Sequence, residues 1–112
     1  MASERQQKMS EVIRQYVAQF IETESTSQSL ITITRVNLSP DFKNATIFFT
    51  TLPENQEHTA LAFLQRKRKD IREYLKKHLK TRTLPFVDVE IDAGERNRQR
   101  IDELLFKDKK GL

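Results

Sequence analysis

Residues 30–52 read LITITRVNLSPDFKNATIFFTTL, and the fold turns on how they pair. Residues 30–38 are dense in Ile, Thr, Val and Leu, types that fit a pleated surface. Ile31 and Ile33 fall on one face of a regular strand, and Val36 and Leu38 on the other. A bulge near Thr34 or Arg35 would bring all four to one side. Ser39-Pro40-Asp41-Phe42-Lys43-Asn44 is turn chemistry, because Pro fixes φ and Asp and Asn side chains accept local backbone hydrogen bonds. Residues 45–52 form a second strand with Ala45, Ile47 and Phe49 on one face. The two strands should pair as an antiparallel hairpin.

The flanking sequence changes period. Met9, Val12, Ile13, Tyr16, Val17, Phe20 and Ile21 recur at steps of three and four, which predicts a helix over residues 4–23 with one buried face. Ser3 and Gln6 fit a capping box at its start. The polar residues 23–29 read as a loop, as do residues 53–56. Helical spacing resumes over residues 57–80 with Leu61, Leu64, Ile71, Leu75 and Leu79. It breaks at Arg66-Lys67-Arg68-Lys69, where Arg68 falls on the apolar stripe and neighbouring like charges repel. Two helices are expected there, or one helix kinked near 66–69. Residues 84–92 alternate: Val87, Val89 and Ile91 should face the core, and Asp88, Glu90 and Asp92 water. Ile101, Leu104 and Leu105 mark a short terminal helix over 97–106. The expectation is one domain over residues 1–106, followed by a disordered charged tail over 107–112. Helices and three strands in this order make a two-layer α+β domain.

Composition narrows the function. The chain has 112 residues, no cysteine, and histidine only at positions 58 and 78. Disulfides, thiol nucleophiles and thiolate metal sites are excluded, and imidazole-rich sites with them. The longest apolar run is the five residues 60–64, far short of the ~20 that span a bilayer. No apolar stretch follows the N-terminus, so a cytoplasmic protein is expected. The only glycines, Gly94 and Gly111, leave no phosphate-cradling loop. His58 and His78 lie beside no nucleophile motif, so no enzyme is expected. Asp88, Glu90 and Asp92 share a strand face and offer oxygens to a cation, but strand alternation alone accounts for them. Neither metal nor cofactor is expected, and one core should consume the apolar residues of a monomer.

The net charge of +4 is unevenly spread. Between residues 66 and 82 stand nine Lys/Arg and two acids, whereas the other 95 residues carry 11 basic and 14 acidic side chains. Most charge runs are solvated faces, but such concentration points to a polyanion, most often nucleic acid. The acidic stripe of the third strand repels phosphate, so nucleic acid is expected on the basic segment and not across that strand. Phe42, Phe48, Phe63, Phe86 and Phe106 are read as core residues except Phe42, whose place in a turn suits a stacking platform.

These residues, taken in order, resemble the ribosome-binding factor A family. The hairpin from Ile33 through Ser39, Asp41 and Phe42 to Ile47 is similar to its V-x-[VL]-S-x-D-[LF] turn followed by A-x-[VI]. Arg82, Leu84, Pro85, Val87, Val89, Ile91 and Asp92 resemble its third strand, Ile101-Asp102-Glu103-Leu104-Leu105 its closing helix, and Arg5 with Lys8 ahead of Met9 the start of its first helix. The resemblance runs from Arg5 to Leu105. The family kinks between its second and third helices at A-x-G, where this chain has Lys67-Arg68-Lys69 and must bend without glycine. The resemblance implies a type II KH-like domain of order α-β-β-α-α-β with helices on one sheet face. It further implies a small-subunit maturation factor that binds 16S rRNA within the precursor 30S subunit in late assembly. Such a factor associates with free 30S subunits and not 70S ribosomes, and departs with help from an assembly GTPase. The contact residues expected are Arg66, Lys67, Arg68, Lys69, Arg72, Lys76, Lys77, Lys80 and Arg82, with Arg5, Lys8, Arg35 and Lys43 as weaker candidates. Two other readings of the residues stay open: a KH-like module for messenger or transfer RNA, and a protein-interaction domain whose basic helix meets an acidic partner.

Overall fold

The hairpin forms because its bulge satisfies both halves of the first strand. In the computed structural model, which describes residues 3–24 and 30–110 and side chains as far as residue 101, β1 (Leu30–Leu38) pairs antiparallel with β2 (Asn44–Leu52). The register shifts between Ile33 and Arg35, leaving Thr34 without a cross-strand partner. Ile33, Val36 and Leu38 then all reach the core, facing Ala45, Ile47 and Phe49 of β2. In the connecting turn the Asp41 carboxylate accepts from the Ser39 hydroxyl at 2.6 Å and the Lys43 amide at 3.1 Å.

The first helix, α1 (Glu4–Glu24), starts with the expected capping box. The Gln6 amide donates to Ser3 Oγ at 3.1 Å, and the Ser3 amide to Gln6 Oε1 at 3.3 Å. Gln6 Nε2 also donates to the Leu38 carbonyl, joining the helix start to the end of β1. Ile13, Val17, Phe20 and Ile21 form the buried stripe of α1. Of the polar loop expected over 23–29, residues 25–29 lie outside the described residues.

The basic interruption does break the helix. A short turn at Glu54–Gln56 leads into α2 (Glu57–Arg66), and α3 (Arg68–His78) follows after the single residue Lys67. Lys67 has φ −93° and ψ 2°, a bridge conformation open to any L residue. That is how the chain turns without glycine. The Lys67 amide still reaches the Phe63 and Leu64 carbonyls at 3.1 Å, so the bend residue keeps its own donor satisfied. Ala60 and Leu64 of α2 and Ile71 and Leu75 of α3 join the same core. The helix ends at His78, two residues before the expected limit, where Leu79 turns extended at ψ 131°.

The last strand, β3 (Phe86–Ile91), lies parallel to β2, with Ala45, Ile47 and Phe49 opposite Val87, Val89 and Ile91. A parallel pair needs a crossover, and α2 and α3 are that crossover. The result is a mixed sheet of order β1-β2-β3 with helices packed on one face. Pro85 precedes the strand, which begins two residues later than expected because proline has no ladder donor.

Several sequence expectations are corrected here. Asp92 does not share the water-facing stripe of Asp88 and Glu90: it is 6% exposed. The strand stops at Ile91 and Asp92 becomes the N-cap of α4 (Ala93–Lys110), its carboxylate accepting from the Glu95 amide at 3.1 Å. Phe86, read as core, is 64% exposed, whereas Phe42, read as a free turn residue, packs half-buried against the core at φ 63°. Helix α4 starts four residues before the expected 97 and reaches Lys110, past the expected end at Phe106. Its first turns are tied down by Arg96 to the buried Glu57 at 3.2 Å and by Arg100 to Glu54. Residues 111–112 of the expected tail lie outside the described residues. No helix is long and apolar enough to cross a membrane among the described residues.

Candidate nucleic-acid interface

Ile71 and Leu75 fix the orientation of α3 by facing the core. On a 3.6-residue period, Arg68, Lys69, Arg72 and Lys76 then share the flank beside β3. Two contacts establish that flank. Arg68 Nη1 lies 3.7 Å from Asp88 Oδ1, and the Arg72 guanidinium sits 4.5 Å above the Phe86 ring. Both arginines reach across the free edge of β3, one helical turn apart, to side chains two residues apart on its outer face. Arg72 Nε and Nη2 also donate to the Pro85 and Leu84 carbonyls, each at 3.3 Å.

The nine cations of the segment therefore divide. Lys67 is drawn back onto the bend, 3.5 Å from Glu24 and 3.7 Å from Asp70, with the Phe63 ring 5.9 Å away. Lys67, Arg68 and Arg72 are thus engaged within the molecule. Arg66, Lys69, Lys76, Lys77, Lys80 and Arg82 are exposed, with no hydrogen-bond or ion-pair partner among the described residues. Lys77 lies about 100° round the helix from Lys76, on the face turned away from the core.

The weaker candidates are scattered. Arg5 lines an open cleft with Lys80 and Arg82, floored by Phe42, Met9 and Thr81. Its guanidinium is 5.7 Å from the Phe42 centroid. Asp41 opens onto the same cleft, and the Ser39 hydroxyl and Lys43 amide hold its carboxyl below the usual range. Lys8 pairs with Glu4 at 3.2 Å on the exposed face of α1. Lys43 is exposed beside Phe86, whose amide donates to the Lys43 carbonyl at 2.8 Å. Arg35 stands apart on the outer sheet face, 3.9 Å from the Phe48 centroid and 3.4 Å from Asp92.

The acidic stripe is thereby weakened. Asp88 is partly neutralised by Arg68, and Asp92 is withdrawn into a polar hub. Burial opposes ionisation of Asp92, but the Thr34 hydroxyl at 2.6 Å, the Glu95 amide and the Arg35 guanidinium together hold its carboxyl below the usual range. Among the described residues no group of His, Asp and Glu is placed to hold a metal ion. Sequence reasoning missed the Phe86–Arg72 pair, which depends on a contact between elements. It also missed the cap, although Asp92-Ala93-Gly94-Glu95 carries the helix-start spacing.

Comparison with known proteins agrees with this architecture. The model of the family described as ribosome-binding factor A matches residues 5–105. A ribosome-binding factor A from Thermomicrobium roseum is 31% identical over 108 residues, covering 94% of this chain and 84% of its own length. The crystal structure of ribosome-binding factor A from Thermus thermophilus superposes with a TM-score of 0.69 at 21% identity, covering 77% of this chain and 94% of that one. A homology model of the Thermus thermophilus protein, fitted into the cryo-EM map of its complex with the 30S subunit, gives 0.64 at 22% identity over 72% of this chain and 88% of that one. With four helices on a three-stranded mixed sheet, the KH-like fold of those structures and a family match over nearly its whole length, this chain belongs to the ribosome-binding factor A family.

Proposed function

We propose that this protein binds the precursor small ribosomal subunit in late assembly, through 16S rRNA, and acts by binding and not by catalysis. The observation that carries the proposal is the set of exposed cations, without a partner among the described residues, on α3 and its exit: Lys69, Lys76, Lys77, Lys80 and Arg82, with Arg66 at the bend. Membership of a ribosome-binding family supports it, as does the placement of the Thermus thermophilus homologue in a 30S complex. Each contact with a phosphate releases counterions, which supplies affinity with little sequence information. Selectivity comes from the folded shape of the RNA. Lys67, Arg68 and Arg72 position the bend and the helix flank. The protein acts as a cytoplasmic monomer, favours free 30S subunits over 70S ribosomes, and leaves the mature subunit with help from an assembly GTPase.

Sedimentation of a cell extract tests this. The protein should travel with free small subunits and be absent from 70S particles, and ribonuclease should release it to the top of the gradient. Co-migration with 70S ribosomes, or with neither, contradicts the proposal.

A further inference from the structure

Phe86 is the feature that phosphate binding does not use. A lone exposed phenylalanine is ordinary on a protein surface. This one is 64% exposed and is held in a built setting. Its backbone is fixed by the Lys43 carbonyl at 2.8 Å and by pairing opposite Asn44 at the start of β3. One side of the ring is covered by the Arg72 guanidinium at 4.5 Å, itself pinned by the Leu84 and Pro85 carbonyls. An arginine carries five N–H donors, so those two bonds leave three others. Lys69 and Lys76 lie one turn to either side of Arg72 on the same flank. An aromatic plate backed by a fixed guanidinium and ringed by free ammonium groups is what an unpaired nucleotide requires: a surface for the base and cations for the phosphates beside it.

We propose that Phe86 and Arg72 form a stacking platform for one unpaired RNA base, with Lys43, Lys69 and Lys76 neutralising the adjoining phosphates. The inference rests on the RNA-binding reading above and sharpens it, because the site selects single-stranded RNA over duplex. Stacking accepts any base, so the platform reads the absence of pairing and not sequence. Arg68 lowers the main obstacle by pairing with Asp88, the nearest acid on the same strand face.

The chain has no tryptophan, so Phe86→Trp supplies a single indole at the platform. Short oligoadenylate should quench its emission, and an RNA duplex of the same length should not. Phe86→Leu keeps apolar bulk without a π face, and the ring's exposure limits the change in melting to the small loss of its contact with Arg72. It should bind oligoadenylate roughly 5- to 150-fold more weakly than the wild type, with duplex affinity unaltered. Equal binding of oligoadenylate by Phe86→Leu and wild type overturns the platform. So does failure of the wild type to prefer oligoadenylate over duplex. If Phe86→Leu keeps oligoadenylate affinity yet loses small subunits, the ring meets a protein instead, and the proposal falls. The two readings fail separately. A wild type that sediments with 30S subunits while Phe86→Leu behaves identically removes only the platform. A wild type that ignores subunits but stacks oligoadenylate removes only the ribosomal reading.

Discussion

The two ends of the basic segment read alike in sequence and differ in the fold. At the bend, Lys67 is held between Glu24 and Asp70, Arg68 is paired with Asp88, and Arg72 is locked onto two carbonyls and a ring. At the exit, Lys76, Lys77, Lys80 and Arg82 extend into solvent without a partner among the described residues. The first group is bonded to carboxylates, carbonyls or a ring, and the second group forms no such contact among the described residues. The lesson is that a formal charge is available to a polyanion only where the fold has not already used it.

If the division is real, charges used by the fold appear in melting and free charges do not. Asp92 is the extreme of the first kind. Asp92→Ala removes a buried carboxylate with bonds to Thr34 and the Glu95 amide, and should destabilise by about 2–3 kcal/mol. Because its folded pKa is lowered, its contribution is present above the unfolded value of 3.8 and is lost as pH falls through the folded value. The variant should therefore lose less stability than the wild type on acidification, which a melting series from neutral to acid pH would reveal. Arg72→Met keeps the apolar stem and should cost about 1–1.5 kcal/mol through its two lost carbonyl bonds, seen as a lower urea midpoint at constant m. Lys67→Gln should cost about 0.5 kcal/mol, a difference that vanishes in high salt, because its pairs are solvent-accessible. Lys76→Gln should fall within about 0.5 kcal/mol of wild type. A Lys76→Gln loss equal to that of Arg72→Met would erase the comparison.

Local grammar carried much of this fold in the sequence. The phase change between Ile33 and Val36 located the bulge, Ser3 and Gln6 the cap of α1, and Arg68 on the apolar stripe the break between α2 and α3. Long-range choices were not legible. Nothing in residues 86–91 says that β3 runs parallel beside β2, since alternation is the same in either direction. Asp92 follows the outward phase of Asp88 and Glu90, and is buried only because the strand stops one residue earlier and a helix N-terminus takes its carboxylate. At the candidate site, the location of the basic residues was plain from their density. Which of them are free was not, because Lys67, Arg68 and Arg72 find partners 12 to 43 residues away.

The division of the basic segment is tested most directly by the salt dependence of binding to precursor small subunits. Two folded variants are compared with wild type. One replaces Lys76, Lys77, Lys80 and Arg82 with glutamine, the other Arg66, Lys67, Arg68 and Lys69. Each lost phosphate contact flattens the log–log salt slope by about 0.7–0.9 unit. The exit variant should lose up to about three units or slightly more, and the bend variant about half as much, because two of its four cations are already paired. A bend variant whose slope falls as far as that of the exit variant would contradict the account.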